Sequence, residues 1–226
     1  MTSLVLLQAK FLFQKFKLYD MNSVQRALWY YKDTMKGESK MTTRKFLHAM
    51  YKLIPHHLQW VGEASKIDSI VHRFMNYQNR LPRCGVILLC QNKVLVLRSL
   101  YGRNLMFPMG KQLRNESSHK CAERECVEET GLQVYLGEHS ERVELKMNGH
   151  TPRYLYIYKL ECNINLLRIS PQTHYEVSNY RWVDWEWFNE DKPFRGFTGQ
   201  GWKWLIHYLH HRIYPPLLLT HVPPVL

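Results

Sequence analysis

The sequence predicts an α+β protein in two parts, an all-α helical unit over residues 1–78 followed by a mixed α/β domain over residues 79–226. Three observations predict it. Up to Arg80 the apolar residues recur at helical spacing, and Pro55 is the only proline. From Arg83 onward the pattern changes to short apolar runs separated by turn residues, as strands require. A last amphipathic stretch, GWKWLIHYLHHRI, is stopped by Pro215 and Pro216.

The elements follow in order. The start carries Lys10, Lys15 and Lys17 with no acid before Asp20, and reads as a basic amphipathic helix. An organelle transit peptide would be richer in Arg and Ser, so a cytoplasmic location is expected. Ser23 is positioned to cap VQRALWYYKDTMKG, with Gly37 as its stop. Thr42 or Thr43 caps RKFLHAMYKLI, which must end near Pro55. SKIDSIVHRFMNYQ repeats the helical period at Ile67, Ile70, Val71 and Phe74. RCGVILLC and KVLVLRSL then flank the dipeptide QN as a hairpin. VYLGEHSERVEL and RYLYIYKLEC form a second β pair around MNGH, and YRWVDWEWF is a further strand.

Composition narrows the function. Lys and Arg number 31 against 19 Asp and Glu, a net charge of +12, which points to a polyanionic partner. Nucleic acid, an anionic membrane and a phosphorylated small molecule all satisfy that. No stretch reaches the roughly 20 apolar residues a spanning helix needs, so stable membrane insertion is not expected. The five cysteines, an odd count with no CxxC, disfavour a disulfide framework or a zinc site and read as reduced intracellular thiols.

Against this basic background, Gly110–Leu132 concentrates five of the nineteen acids. On a helix over Glu116–Glu129 ending at Gly131, residues Glu125, Glu128 and Glu129 fall at i, i+3 and i+4 and share a face. Three such carboxylates repel one another unless a hard divalent cation sits among them. Arg124 is placed to pair with Glu128 one turn on, and Gly110 leaves room for backbone to approach a metal or phosphate.

The full spacing is Gly, five residues, Glu, seven residues, Arg-Glu, two residues, Glu-Glu, one residue, Gly-Leu. It resembles the Nudix box, with Cys126 in a slot usually aliphatic. The resemblance implies a Nudix α/β/α sandwich that binds Mg²⁺ or Mn²⁺ through Gly110, Glu125, Glu128 and Glu129 and hydrolyses a diphosphate linked to another group.

Three further stretches resemble the eukaryotic mRNA-decapping family of Nudix hydrolases, a likeness that covers roughly residues 10–213. ALWYYKD resembles its cap-recognition helix, which implies that Trp29 and Asp33 hold the cap. Trp suits a flat methylated cation, and a carboxylate suits the guanine edge. RLPRCGVILLCQNKVLVLRS with FPMGK resembles the run into the box. Met109 stands where that family usually has a cation, while Lys111 remains as a phosphate contact. HYEVSNYRWVDWEWF resembles the segment that supplies a further glutamate, here Glu176, as general base or extra metal ligand. The closing helix resembles, more loosely, the basic RNA-tracking helix, with Lys203 and Arg212 on the RNA path.

The reading is therefore a metal-dependent cap hydrolase yielding m7GDP and 5′-monophosphate RNA, with Glu176, Glu129 and Arg124 in the catalytic machinery. Capped RNA is its substrate, and a decapping-activator subunit is a candidate partner on the helical domain. Two alternatives stay open. One is a Nudix hydrolase of small polyanions such as diphosphoinositol polyphosphates or dinucleoside polyphosphates. The other is an inactive RNA-binding Nudix module.

Overall fold

The computed structural model describes residues 11–12, 14–15, 20–34, 42–53, 67–100, 105–145, 151–172, 176–184, 187 and 200–213. Three helices come first: α1 (Met21–Thr34), α2 (Thr43–Leu53) and α3 (Ile67–Asn79). Leu28, Phe46, Leu47, Met50, Ile70 and Phe74 close into their own core, joined by Leu12 from the basic start. Lys15 lies over the Tyr30 ring, 3.8 Å from its centroid. The expected cap of α1 moves by three residues. Asp20 accepts the Ser23 N–H at 2.7 Å on its carboxylate, while the Asp20 N–H donates to Ser23 Oγ at 3.2 Å. This is a reciprocal box, and the carboxylate also complements the helix dipole, which Ser23 alone could not do. Thr42 caps α2 through the Lys45 N–H at 3.2 Å. The expected stop at Gly37 lies outside the described residues.

The sheet follows. Its strands are β1 (Arg83–Cys90), β2 (Lys93–Ser99), β3 (Leu105–Met106), β4 (Met109–Lys111), β5 (Arg142–Leu145), β6 (Arg153–Lys159) and β7 (Val177–Asp184). Two helices flank it, α4 (Ser118–Thr130) and α5 (Gln200–Ile213). The path runs β3-β2-β1-β6-β5, with β4 on β1 and β7 on β2. The predicted QN turn is real: Gln91 and Asn92 take φ 47 and 63, the left-handed pair a two-residue hairpin needs. β1 and β6 pair in parallel, a non-local join the local pattern did not announce.

Alternation along β1 and β2 builds two cores. Cys84, Val86, Leu88, Leu95 and Leu97 face α4 through Cys121, Ala122 and Cys126. Ile87, Leu89, Val94 and Val96 face α5 through Leu205, Ile206 and Leu209. Helix, sheet and helix thus stack as expected. One predicted strand is shorter than read. Residues 134–140 run as loop and turn, where Gly137 N–H donates to Ser140 Oγ, and β5 begins only at Arg142.

Candidate active site

α4 fixes the acidic face, and its own caps set where it begins and ends. Ser117, in extended conformation, accepts the Lys120 N–H, and Gly131 at φ 76 returns its N–H to Val127 O. Glu116, expected inside the helix, stands two residues ahead of it. Its carboxylate is used elsewhere, accepting the Leu113 N–H at 2.8 Å and Arg124 at 2.8 and 3.0 Å. Burial pushes Glu116 up, but those hydrogen bonds hold it below the usual carboxylate range. Arg124 then reaches Glu125 at 2.6 Å, Glu128 at 3.2 Å and the Lys111 carbonyl at 3.1 Å. One guanidinium thereby ties the loop before α4 to the face of α4, including the predicted pairing with Glu128.

Glu125 and Glu129 are buried, and Glu128 is half-buried. Burial pushes Glu125 up to about 8; Arg124 opposes this, while Glu128 and Glu176 add to it. Burial also raises Glu129 well above its ordinary value, helped by Glu125 and Glu176 and opposed by the Met109 N–H. Glu128 moves the same way for the same first reason. Glu129 Oε2 accepts the Met109 N–H at 2.9 Å, but its Oε1 is buried with no hydrogen-bond partner. Glu176 sits just before β7, where the β2–β7 ladder shifts register between Arg98 and Ser99.

Gly110 has a specific reason to be glycine. A Cβ there would stand 2.1 Å from the Glu125 carboxyl carbon and 2.1–2.2 Å from both its oxygens. The space expected at Gly110 is thus filled by the Glu125 carboxylate, which the missing side chain leaves room for.

These residues share one cavity of about 280 Å³. Gly110, Glu125, Glu128, Glu129 and Glu176 form one part of its lining. Trp29 and Lys32 from α1 and Gln78 from α3 bring the helical part to the same space. Arg83, Lys111 and Arg153 complete its charged lining, and Met109 adds an apolar patch. Lys111 donates to Gln78 at 2.8 Å across the junction. Burial, then Arg83 and Lys32, push its ammonium down to about 8, with Glu176 pulling the other way.

The donor set suits a hard divalent cation. It is all oxygen, it is electrostatically frustrated, and one buried carboxylate oxygen lacks a donor. Glu125 and Glu176 both bear on Glu129 as like charges, a repulsion that a cation among them would relieve. Among the described residues no three such side chains are already drawn tightly around one point, and Arg124 occupies oxygens of Glu125 and Glu128.

The other predicted residues divide. Trp29 joins the carboxylates. Asp33 lies one turn along α1, and its side chain is outside the described residues, as is that of Arg212. Lys203 is exposed on α5 and is not among the described residues lining the cavity. On α5, Leu205, Ile206 and Leu209 go to the core while exposed Trp204 stacks on Tyr208 at 5.2 Å. Met109 is buried against the α5-side core and supplies a backbone donor rather than a charge. The sequence reading missed Lys32, Gln78, Arg83 and Arg153. Arg83 and Arg153 come to the cavity through pairing of distant strands, and Lys32 and Gln78 from α1 and α3, neither of which the local pattern signals.

A family profile described as the NUDIX domain matches residues 79–205, more than half of the chain. The mRNA-decapping enzyme subunit 2 of Arabidopsis thaliana is 29% identical over 166 residues, 70% of this chain and 43% of that protein. The mRNA decapping complex subunit 2 of Schizosaccharomyces pombe is 26% identical over 178 residues, 75% of this chain and 24% of that protein. The matches thus span less than half the length of these curated relatives. Among solved structures, a NUDIX hydrolase from Nitrosomonas europaea is 22% identical, with a TM-score of 0.43, over 62% of this chain and 75% of that chain.

Proposed function

Because the chain belongs to the Nudix family, we propose that it is a divalent-metal-dependent hydrolase that cuts the triphosphate bridge of capped RNA into m7GDP and 5′-monophosphate RNA. The observation that carries this reading is the shared cavity. Trp29 of the helical part lines the same space as the box carboxylates, which a hydrolase of small polyanions would not need. The names of the curated relatives support the same substrate. They also support a partner subunit, with the helical part, residues 1–78, as its proposed dock. The Nudix part is residues 79–226, and the proposed location is the cytoplasm. Among the described residues no helix is long and apolar enough to cross a membrane.

Each residue then has a task. Gly110, Glu125, Glu128, Glu129 and Glu176 hold Mg²⁺ or Mn²⁺, with the Gly110 contribution a backbone carbonyl. When bound, the ion neutralises charge on the phosphate oxygens and lowers the pKa of attacking water. Arg124 orients Glu125 and Glu128 while Glu116 anchors Arg124. Glu176, beside Glu129, takes the proton from water attacking the β-phosphate. Trp29 stacks on the methylated base, and Asp33 accepts from its Watson–Crick edge. Lys111 meets a phosphate, and Lys203 and Arg212 follow the RNA body along α5.

The small-polyanion reading is kept because the cationic lining of the cavity serves any phosphate chain. Cap-labelled RNA, free cap dinucleotide and diphosphoinositol polyphosphates should be offered at equal concentration with each metal. Preferred release of m7GDP from RNA supports decapping. Preferred turnover of either small substrate gives the function to the alternative, and binding of RNA without turnover gives it to the inactive module.

A further inference from the structure

We infer that Lys111, Arg83 and Arg153 form a three-cation row that grips the phosphate chain of the substrate, with Lys32 reaching it from the helical part. The inference rests on the proposed phosphate-bridge hydrolysis and names residues for it that the box does not contain.

The row is a consequence of strand register. Arg83 on β1 pairs with Lys111 on antiparallel β4 and with Arg153 on parallel β6. Residues paired across strands project from the same face of a sheet. Adjacent strands lie about 4.8 Å apart, so the three attachment points span about 10 Å. Two residues along, on the same face, the preceding row is Met109, Gly85 and Leu155. Met109 and Leu155 are buried in the α5-side core. The cation row therefore marks where this sheet face leaves the core and enters the cavity. All three cations line it, as do Lys32 and Trp29.

Like charges set directly across strands destabilise a sheet. Partial burial makes the arrangement worse: Arg153 is held below its usual range by burial and then by Arg83. A bound polyanion reverses the sign of this repulsion. One phosphate reaches two neighbours, whereas three cations over about 10 Å suit a chain of phosphates. Guanidinium forks are the side chains best shaped for phosphate oxygens. The row begins at Lys111, the residue after Gly110, and lines the same cavity as the carboxylate cluster. Lys111 is also oriented for the task, because Gln78 accepts from its ammonium and Arg124 holds its carbonyl.

The test uses the full chain and inorganic tripolyphosphate in EDTA, with binding read by calorimetry and folding by melting temperature. Arg83→Gln and Arg153→Gln should each weaken binding by about tenfold, the loss of one charge-assisted contact. Melting temperature should hold or rise, since a repulsion is removed. Arg153→Lys, which keeps the charge but loses the fork, should weaken binding less than Arg153→Gln does. Arg98→Gln, at an exposed site on β2, controls for net charge. With Mg²⁺ and capped RNA, the two Gln variants should raise KM more than they lower kcat. The inference is overturned if both Gln variants bind tripolyphosphate as the unaltered chain does, or weaken only as much as Arg98→Gln. A fall in melting temperature with unchanged binding overturns it too, by making the row structural. If the unaltered chain binds tripolyphosphate through the row but cleaves no capped RNA, the row stands and the substrate reading falls.

Discussion

Replacing Gly110 with Ala is the smallest perturbation that reaches the centre of the site. The added Cβ would sit 2.1 Å from the Glu125 carboxyl carbon. Carbon atoms rest at about 3.5 Å, so the carboxyl must retreat by roughly 1.4 Å. Gly110 does not take a left-handed φ, so alanine strains the contact and not the backbone. The displaced group is buried and bound to Arg124, so the shift also disturbs the guanidinium that orients Glu128. A misplacement of about 1 Å at a reacting centre costs on the order of 10²-fold in rate. Single-turnover cleavage of capped RNA at saturating enzyme should fall by about that factor, with divalent-metal affinity falling in parallel. The β1–β4 ladder should survive, so unfolding should remain cooperative. Turnover within about threefold of the unaltered chain, with melting temperature unchanged, would refute the argument, because the carboxylate would then be free to move without consequence.

Three other outcomes are expected. Glu176→Gln should lower the rate at neutral pH by about 10²–10⁴-fold with RNA affinity nearly unchanged, and poor RNA binding with normal saturated turnover would remove it from the chemistry. Trp29→Ala should cost roughly 1–3 kcal/mol at the cap-engaging step while uncapped RNA still binds, whereas a destabilised protein with a normal decapping rate would make Trp29 a packing residue. The third outcome concerns pH. Glu125 is raised to about 8 and Glu128 and Glu129 also move up, all first by burial, so the folded metal-free chain binds more protons than the unfolded one. Stability from this cluster is then fully present below the ordinary value of 4.5 and is lost as pH rises towards about 8. Melting temperature should drop across that window without metal, and Mg²⁺ or Mn²⁺ should restore more of it at pH 8 than at pH 5. Equal metal stabilisation at both pH values would contradict the assignment of these carboxylates as the metal site.

Much of this was legible in the sequence because it is local. The face bearing Glu125, Glu128 and Glu129 follows from helical spacing, and the β1–β2 turn follows from a dipeptide that tolerates left-handed backbone. What failed was also local, but depended on competition between donors. Asp20 outcompetes Ser23 as the cap of α1 because its carboxylate accepts an N–H and carries charge. Glu116 stays out of α4 because Arg124 and Leu113 N–H claim it. The cation row was illegible for a different reason. Arg83, Lys111 and Arg153 come together only through pairing of strands far apart in the chain, above all the parallel join of β1 to β6. Met109 could be flagged as a departure from a familiar pattern. Its burial, and the backbone hydrogen bond it gives Glu129, emerge only from the packed sheet.

The central claim is that water enters at the β-phosphate of a cap whose base the helical part holds. Cleavage of capped RNA in ¹⁸O-water, with both products analysed by mass, tests it most directly. The heavy oxygen should appear in m7GDP and not in the RNA 5′-monophosphate, in a reaction that requires a divalent cation and is lost in Glu129→Gln. Heavy oxygen in the RNA monophosphate, or release of m7GMP in place of m7GDP, would contradict it.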